Sequence, residues 1–184
     1  MKKIVLTFGL ISGAILSAMM LATVPFMDKI GFDRGEVIGY TSMVVAFLLI
    51  FFGVRAYRDR FGGTLGFLRA FAVGAMIVGV ASVCYVATWQ VIYYNFAPDF
   101  VAKYQAHELE KERASGASEA QIAEKKADLE KFAEMYRNPL INAAITFVEP
   151  LPVGLVIALI SAGVLSRRRK REEGEGAVMA GVRV

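Results

Sequence analysis

The sequence contains no G-x-x-x-x-G-K-[ST], no H-E-x-x-H, no G-x-S-x-G and no C-x-x-C. These motifs would cradle phosphates, bind zinc beside a general base, present a serine nucleophile or form a redox pair, so each absence removes one class of chemistry. There is one cysteine in 184 residues. A lone Cys84 excludes both an intrachain disulfide framework and a cysteine-based metal site, and its position in an apolar run suits inert packing. The one histidine, His107, falls in a charged segment and is expected to be solvated. Basic and aromatic residues do not alternate along any polar stretch, so the net charge of +4 and pI ≈ 9.2 do not indicate a nucleic-acid partner.

Apolar residues are what the chain has in excess. They make up 56% of it, with a mean hydropathy of +0.49, against about 45–50% in a soluble domain. They are gathered into four blocks, each long enough to cross a hydrocarbon core about 30 Å thick as helix. The spans predicted are 4–27, 37–54, 67–92 and 140–165, in a single membrane domain covering 1–184. The fold class expected is therefore all-α, an integral membrane four-helix bundle whose first partner is the lipid bilayer. The first block outruns the 7–15 residues or so of a signal-peptide core and ends at no A-x-A site, so it is expected to remain as a span.

Charge between the blocks sets direction. Lys2 and Lys3, the 55–60 link with Arg55, Arg58 and Arg60, and the run Arg167 to Arg171 are basic, whereas the link from Asp28 to Glu36 is net negative. By the positive-inside rule, the N-terminus, the second link and the tail are cytoplasmic, which requires an even number of crossings. The tail over 172–184 is Gly-rich and polar and is expected to be disordered. The basic run before it suits anionic headgroups.

The third connection, 98–138, would then face outward. It reads as two helices. Asp99–Lys103, Glu108–Lys111 and Glu110–Arg113 have same-face spacing on the first. Ser115-Gly116-Ala117 interrupts it, and Ser118-Glu119-Ala120-Gln121 has capping-box form. Ile122, Leu129, Phe132 and Tyr136 share a stripe on the second, suited to packing on the bundle or docking a partner. Asn138-Pro139 has the form of an N-cap and first-turn proline for the last span.

Within lipid, small residues mark where helices meet. Gly9, Gly13 and Ser17 recur on the first span. Ala70 with Gly74, and Ala75 with Gly79, do so on the third, and Gly154, Ala158 and Ala162 on the fourth. These are the candidate helix-packing positions. Gly9–Gly13 has also the spacing of a homodimer motif.

One acid is out of place. Glu149 lies inside the fourth apolar block, where an ionised group costs about 2.5–3.5 kcal/mol at mid-bilayer. Asn142 and Thr146 precede it by seven and three positions on the same helical face, and Pro150 and Pro152 follow. The three polar residues form a candidate intramembrane polar site. Three readings stay open: a tilted or late-starting helix that leaves Glu149 near the outer headgroups, hydrogen bonding to Tyr85, Thr88 or Gln90 of the third span, or handling of an ion or substrate, as at interrupted helices in transporters. No second acid in a span accompanies Glu149 and no span holds a histidine, so no catalytic residue, cofactor or metal site is expected.

Gly39-Tyr40 opening the second span, Gly53-Val54-Arg55-Ala56-Tyr57-Arg58-Asp59 closing it, Pro98-Asp99-Phe100, and Glu149-Pro150-Leu151-Pro152-Val153-Gly154-Leu155 together resemble the domain of unknown function family 4199. That resemblance covers nearly the whole chain. It implies a small four-span protein of the bacterial inner membrane and supplies no activity. The function expected is that of a non-enzymatic scaffold, accessory subunit or homo-oligomer acting with a membrane-protein partner. The alternative is a small ion- or substrate-translocating protein using Glu149.

Overall fold

The computed structural model describes residues 1–166, all helix and connecting turns. The basic run from Arg167 and the tail over 172–184 lie outside the described residues. The helices are α1 Lys2–Thr23, α2 Met27–Ile30, α3 Phe32–Arg60, α4 Phe67–Asn95, α5 Phe100–Ala114, α6 Glu119–Tyr136, α7 Pro139–Val148 and α8 Leu151–Ser166. A single 3-10 turn over Val24–Phe26, carrying Pro25, joins α1 to α2. Four units are long and apolar enough to cross a membrane: Lys2–Ile30, Phe32–Arg60, Phe67–Asn95 and Pro139–Ser166.

The helices run past the apolar blocks that announce them. α3 occupies 29 residues, about 44 Å at 1.5 Å per residue. It continues through Asp33, Arg34 and Glu36 at one end and Arg55 to Arg60 at the other. The Asp28–Glu36 link is thus almost wholly helical, broken only where Gly31 takes φ +83. Charged side chains do not end a helix, because its backbone bonds are internal whether lipid or water lies outside. At the far end, the Gly63 N–H donates to the Arg58 carbonyl and Gly62 and Gly63 both take φ +80, which turns the chain sharply into α4.

α3 and α4 form the central pair. α1 packs on both from one side, and α8 packs on both from the other. Small residues allow the close approaches. A Cβ on Gly74 would lie 2.8 Å from the Ala158 Cβ and 3.1 Å from Ile50. One on Gly154 would lie 2.7 Å from both Val78 methyl groups and 3.1 Å from Phe47. Gly9 meets Val80 and Gly13 meets Cys84 in the same way. Gly9 and Gly13 are therefore occupied within the subunit, and the homodimer spacing they carry leaves no open glycine face for a second copy. Ser17 joins them by hydrogen bonding, 2.7 Å from the Thr88 hydroxyl, and the Ser12 hydroxyl donates to the Ala46 carbonyl at 3.0 Å. Ala70, Ala158 and Ala162 are fully buried. Gly79 is different: nothing lies within 4 Å of where its Cβ would be, so the Ala75–Gly79 step faces outward and is no packing contact.

The outer surface of these four helices is apolar. Leu10, Val45, Leu48, Val83, Val156 and Ile160 are all exposed. In water, such a belt would greatly exceed the few hundred Å² of apolar patch that a soluble monomer carries. The proportions match helices solvated by lipid.

α5 and α6 are amphiphilic and pack back on each other. Lys125 reaches Glu108 at 3.1 Å, and the Gln105 amide donates to the Leu129 carbonyl at 2.7 Å. The Ser118 capping box forms in full, with Gln121 N–H on the Ser118 hydroxyl and the Gln121 side chain on the Ser118 N–H. Asn138 accepts from the Leu140 N–H at 3.0 Å, with Pro139 in the first turn of α7. Asp99–Lys103 forms at 3.0 Å. The Glu108–Lys111 pair does not form, because Glu108 turns to Lys125 across the helix pair and Lys111 to Asp33; the Glu110–Arg113 pair is also not formed among the described residues.

Candidate binding chamber

The fourth membrane-length unit is two helices separated by a break at Glu149-Pro150. Pro150 and Pro152 have no N–H to give, so the Thr146 and Val148 carbonyls lose their helical donors and α7 ends before α8 begins. The consequence lies in packing. α8 touches both α3 and α4, whereas α7 packs on α4 and α6 and draws away from α3. The space left between α1, α3, α4 and α7 is a cavity of about 420 Å³, roofed by α5 and α6.

Its floor is set by Leu16, Met43, Tyr85 and Glu149, the last cavity residues met on each of the four units. Below that level the bundle is closed: Ala46, Phe47, Val78 and Ala81 show 0% exposure. Glu149 lies ten residues along from Pro139, about 15 Å from that end of the unit. Its side chain is exposed to the chamber rather than sealed in the core, and the Tyr85 phenol is its polar neighbour.

The three polar residues of the fourth unit therefore part company. Asn142 is fully buried and accepts from the Gln90 amide at 2.8 Å, leaving its own Nδ2 without a partner. Thr146 is buried beside the Tyr136 hydroxyl, which burial raises above the ordinary phenol range. Of the partners foreseen for Glu149, Gln90 serves Asn142, Thr88 serves Ser17, and Tyr85 alone stands at the acid. Trp89 is buried in the chamber wall, next to Tyr136, with its indole N–H lacking a hydrogen bond of good geometry.

The roof is tied down by contacts the sequence pattern did not reveal. Phe32, at the start of α3, inserts between Phe100, Tyr104 and the ring of His107, on which it stacks at 5.3 Å. His107 is thus half-buried against Phe32 and 3.3 Å from Asp33, not simply solvated. Lys103 bridges Asp28 and Asp99 at 2.8 and 3.0 Å, and Lys111 reaches Asp33 at 3.1 Å. Asp28 and Asp99 hold the Lys103 ammonium above its ordinary pKa, and Lys103 holds Asp99 below the usual carboxylate range. At the other edge, Phe132 and Tyr136 of α6 meet Tyr93 and Trp89 of α4.

Among the described residues, eight aromatic side chains and four carboxylates line the chamber, and no Lys or Arg does. Two of the carboxylates, Asp33 and Glu108, are neutralised at the rim by lysine. Glu36 and Glu149 form no ion pair among the described residues. No group of three or more His, Cys, Asp or Glu among the described residues is arranged to hold a metal ion.

Four membrane-length apolar units with a chamber between them define a small helical membrane-type protein. Its family follows from the sequence match: a family model described as "Protein of unknown function (DUF4199)" covers residues 7–167, and the chain belongs to that family. No curated protein and no solved structure matches it.

Proposed function

We propose that this is a non-enzymatic integral protein of the bacterial inner membrane, crossing four times with both termini in the cytoplasm. Its outward half receives a ligand, and the protein acts as a receptor or accessory subunit for a membrane partner. The observation that carries this reading is the one-sidedness of the chamber. It begins beneath α5–α6 and ends at Glu149 and Tyr85, and the half below is packed without exposed side chains in its core. A conduit requires a path through both halves. Reception requires a cavity of about 300–1,000 Å³ with a few polar groups among apolar walls, the usual character of small-ligand sites.

A second reading, translocation coupled to Glu149, is favoured by one feature: an unpaired carboxylate beside a proline bend at membrane depth. It needs the inner half to open, against the close approaches at Gly74 and Gly154.

The orientation is tested by cysteine labelling in a Cys84→Ala background. A cysteine at Ser118 reacts with an impermeant maleimide in spheroplasts, and one at Ser166 reacts only after lysis. The reverse pattern would place the chamber on the cytoplasmic side and sink the reading.

A further inference from the structure

Among the described residues, the chamber is lined by carboxylates and by no Lys or Arg. Glu149 lies at its floor and Glu36 in its wall, neither in an ion pair, and His107 is the one basic side chain among those lining residues. Between the two acids the walls are aromatic: Tyr40, Tyr85, Trp89 and Tyr136. A carboxylate left alone in a partly dry site is unfavourable, and a cation of matching size relieves it. Aromatic faces carry negative quadrupole density and attract cations more strongly once water is removed. An anionic ligand would meet repulsion from both acids, and a neutral one would leave the acids as they are.

From this juxtaposition we propose that the chamber binds a small organic cation, an amine or quaternary ammonium on an apolar body, with Glu149 as counter-ion and the aromatic walls as its cage. Glu36 adds long-range attraction from the wall. Gly39 keeps the space open: its position lines the chamber, and nothing lies within 4 Å of where a Cβ would project. The apolar body fills the side toward Leu16, Met20 and Met43, and its breadth is limited by the volume of about 420 Å³. The cation belongs to a free amine or to an ammonium lipid headgroup entering between α3 and α7.

This inference rests on the receptive-chamber reading, and the experiment separates the two. Trp89 is the only tryptophan in the chain, so its emission reports on the chamber wall directly. The full chain, purified in a neutral detergent, is titrated with benzyltrimethylammonium, with its uncharged isostere neopentylbenzene, and with phenylacetate. The ammonium gives a saturable change in Trp89 emission, and the other two bind at least about tenfold more weakly. Glu149→Gln, which keeps shape and inserts normally, weakens the ammonium by about tenfold or more, while Glu149→Asp keeps most of the affinity. Gly39→Leu abolishes the response. Reconstitution into phosphatidylethanolamine vesicles that blocks the probe identifies the headgroup as the source, and free binding there identifies a soluble amine. Equal binding of the isostere, with Glu149→Gln unchanged and Gly39→Leu still blocking, overturns the cation while the chamber survives. Failure of all three probes, in protein that remains monodisperse, overturns both.

Discussion

The two halves of this bundle are built from the same helices and differ in one segment. On the α8 side of Glu149, α8 is seated against both α3 and α4, glycine and alanine bring backbones together, and the core side chains are sealed. On the α7 side, α7 packs on α4 and α6, and the place it would fill against α3 is a cavity. The difference comes from a four-residue run, Glu149-Pro150-Leu151-Pro152, that removes two backbone donors in succession. In lipid, where association depends on contact rather than exclusion of water, a helix that leaves its neighbour forfeits that contact. Polar bonds such as Gln90–Asn142 and the aromatic group around Trp89 and Tyr136 hold the α7 half in its place. Packing closes the α8 half; hydrogen bonds and rings brace the α7 half.

The comparison is sharpest at glycines. Gly154→Leu drives a side chain into Val78 and Phe47, whose atoms already lie within 3.1 Å of the first added carbon. The expected cost is about 3 kcal/mol, the upper part of the overpacking range, read as a large fall in thermal midpoint in detergent. An unchanged midpoint would mean that the α8 half is loose. Asn142→Leu comes next. It leaves the Gln90 amide unpaired in the α7 half and is expected to cost about 1–2 kcal/mol, with the helical content intact. The smallest effect belongs to Gly39→Leu, which adds a side chain to open space and replaces a poor helix former. Its midpoint should stay level or rise by about 0.5–1 kcal/mol of stability. Matching losses at Gly154 and Gly39 would erase the distinction between the halves.

Much of this architecture was legible in the sequence because its causes are local. Four apolar blocks, a capping box at Ser118, an N-cap at Asn138 and the packing glycines at Gly9, Gly13, Gly74 and Gly154 each follow from a few neighbouring residues. The misread positions depend on neighbours far along the chain. Gly79 repeats the spacing of Gly74, but five residues turn it about 140° around the helix and away from α8. Asn142, Thr146 and Glu149 lie on one side of a straight helix, but Asn142 and Thr146 are buried whereas Glu149, at the break between α7 and α8, is exposed. The cavity itself was not readable, since Glu36, Gly39, Tyr40 and Trp89 come from two helices brought together only by the fold. The sole hints were the Gly39-Tyr40 pair at the mouth of the second span and a roof too charged to enter lipid.

The most direct test of the central claim is the accessibility of position 149 from the α5–α6 side. In a Cys84→Ala background, Glu149→Cys and Ala158→Cys are exposed in intact spheroplasts to a small, impermeant, cationic thiosulfonate. Position 149 should be modified, Gly39→Leu should protect it, and position 158, sealed against Gly74, should stay unreactive in either background. Labelling of position 149 only by a lipid-soluble reagent, or only after lysis, would contradict a chamber that opens outward and ends at Glu149.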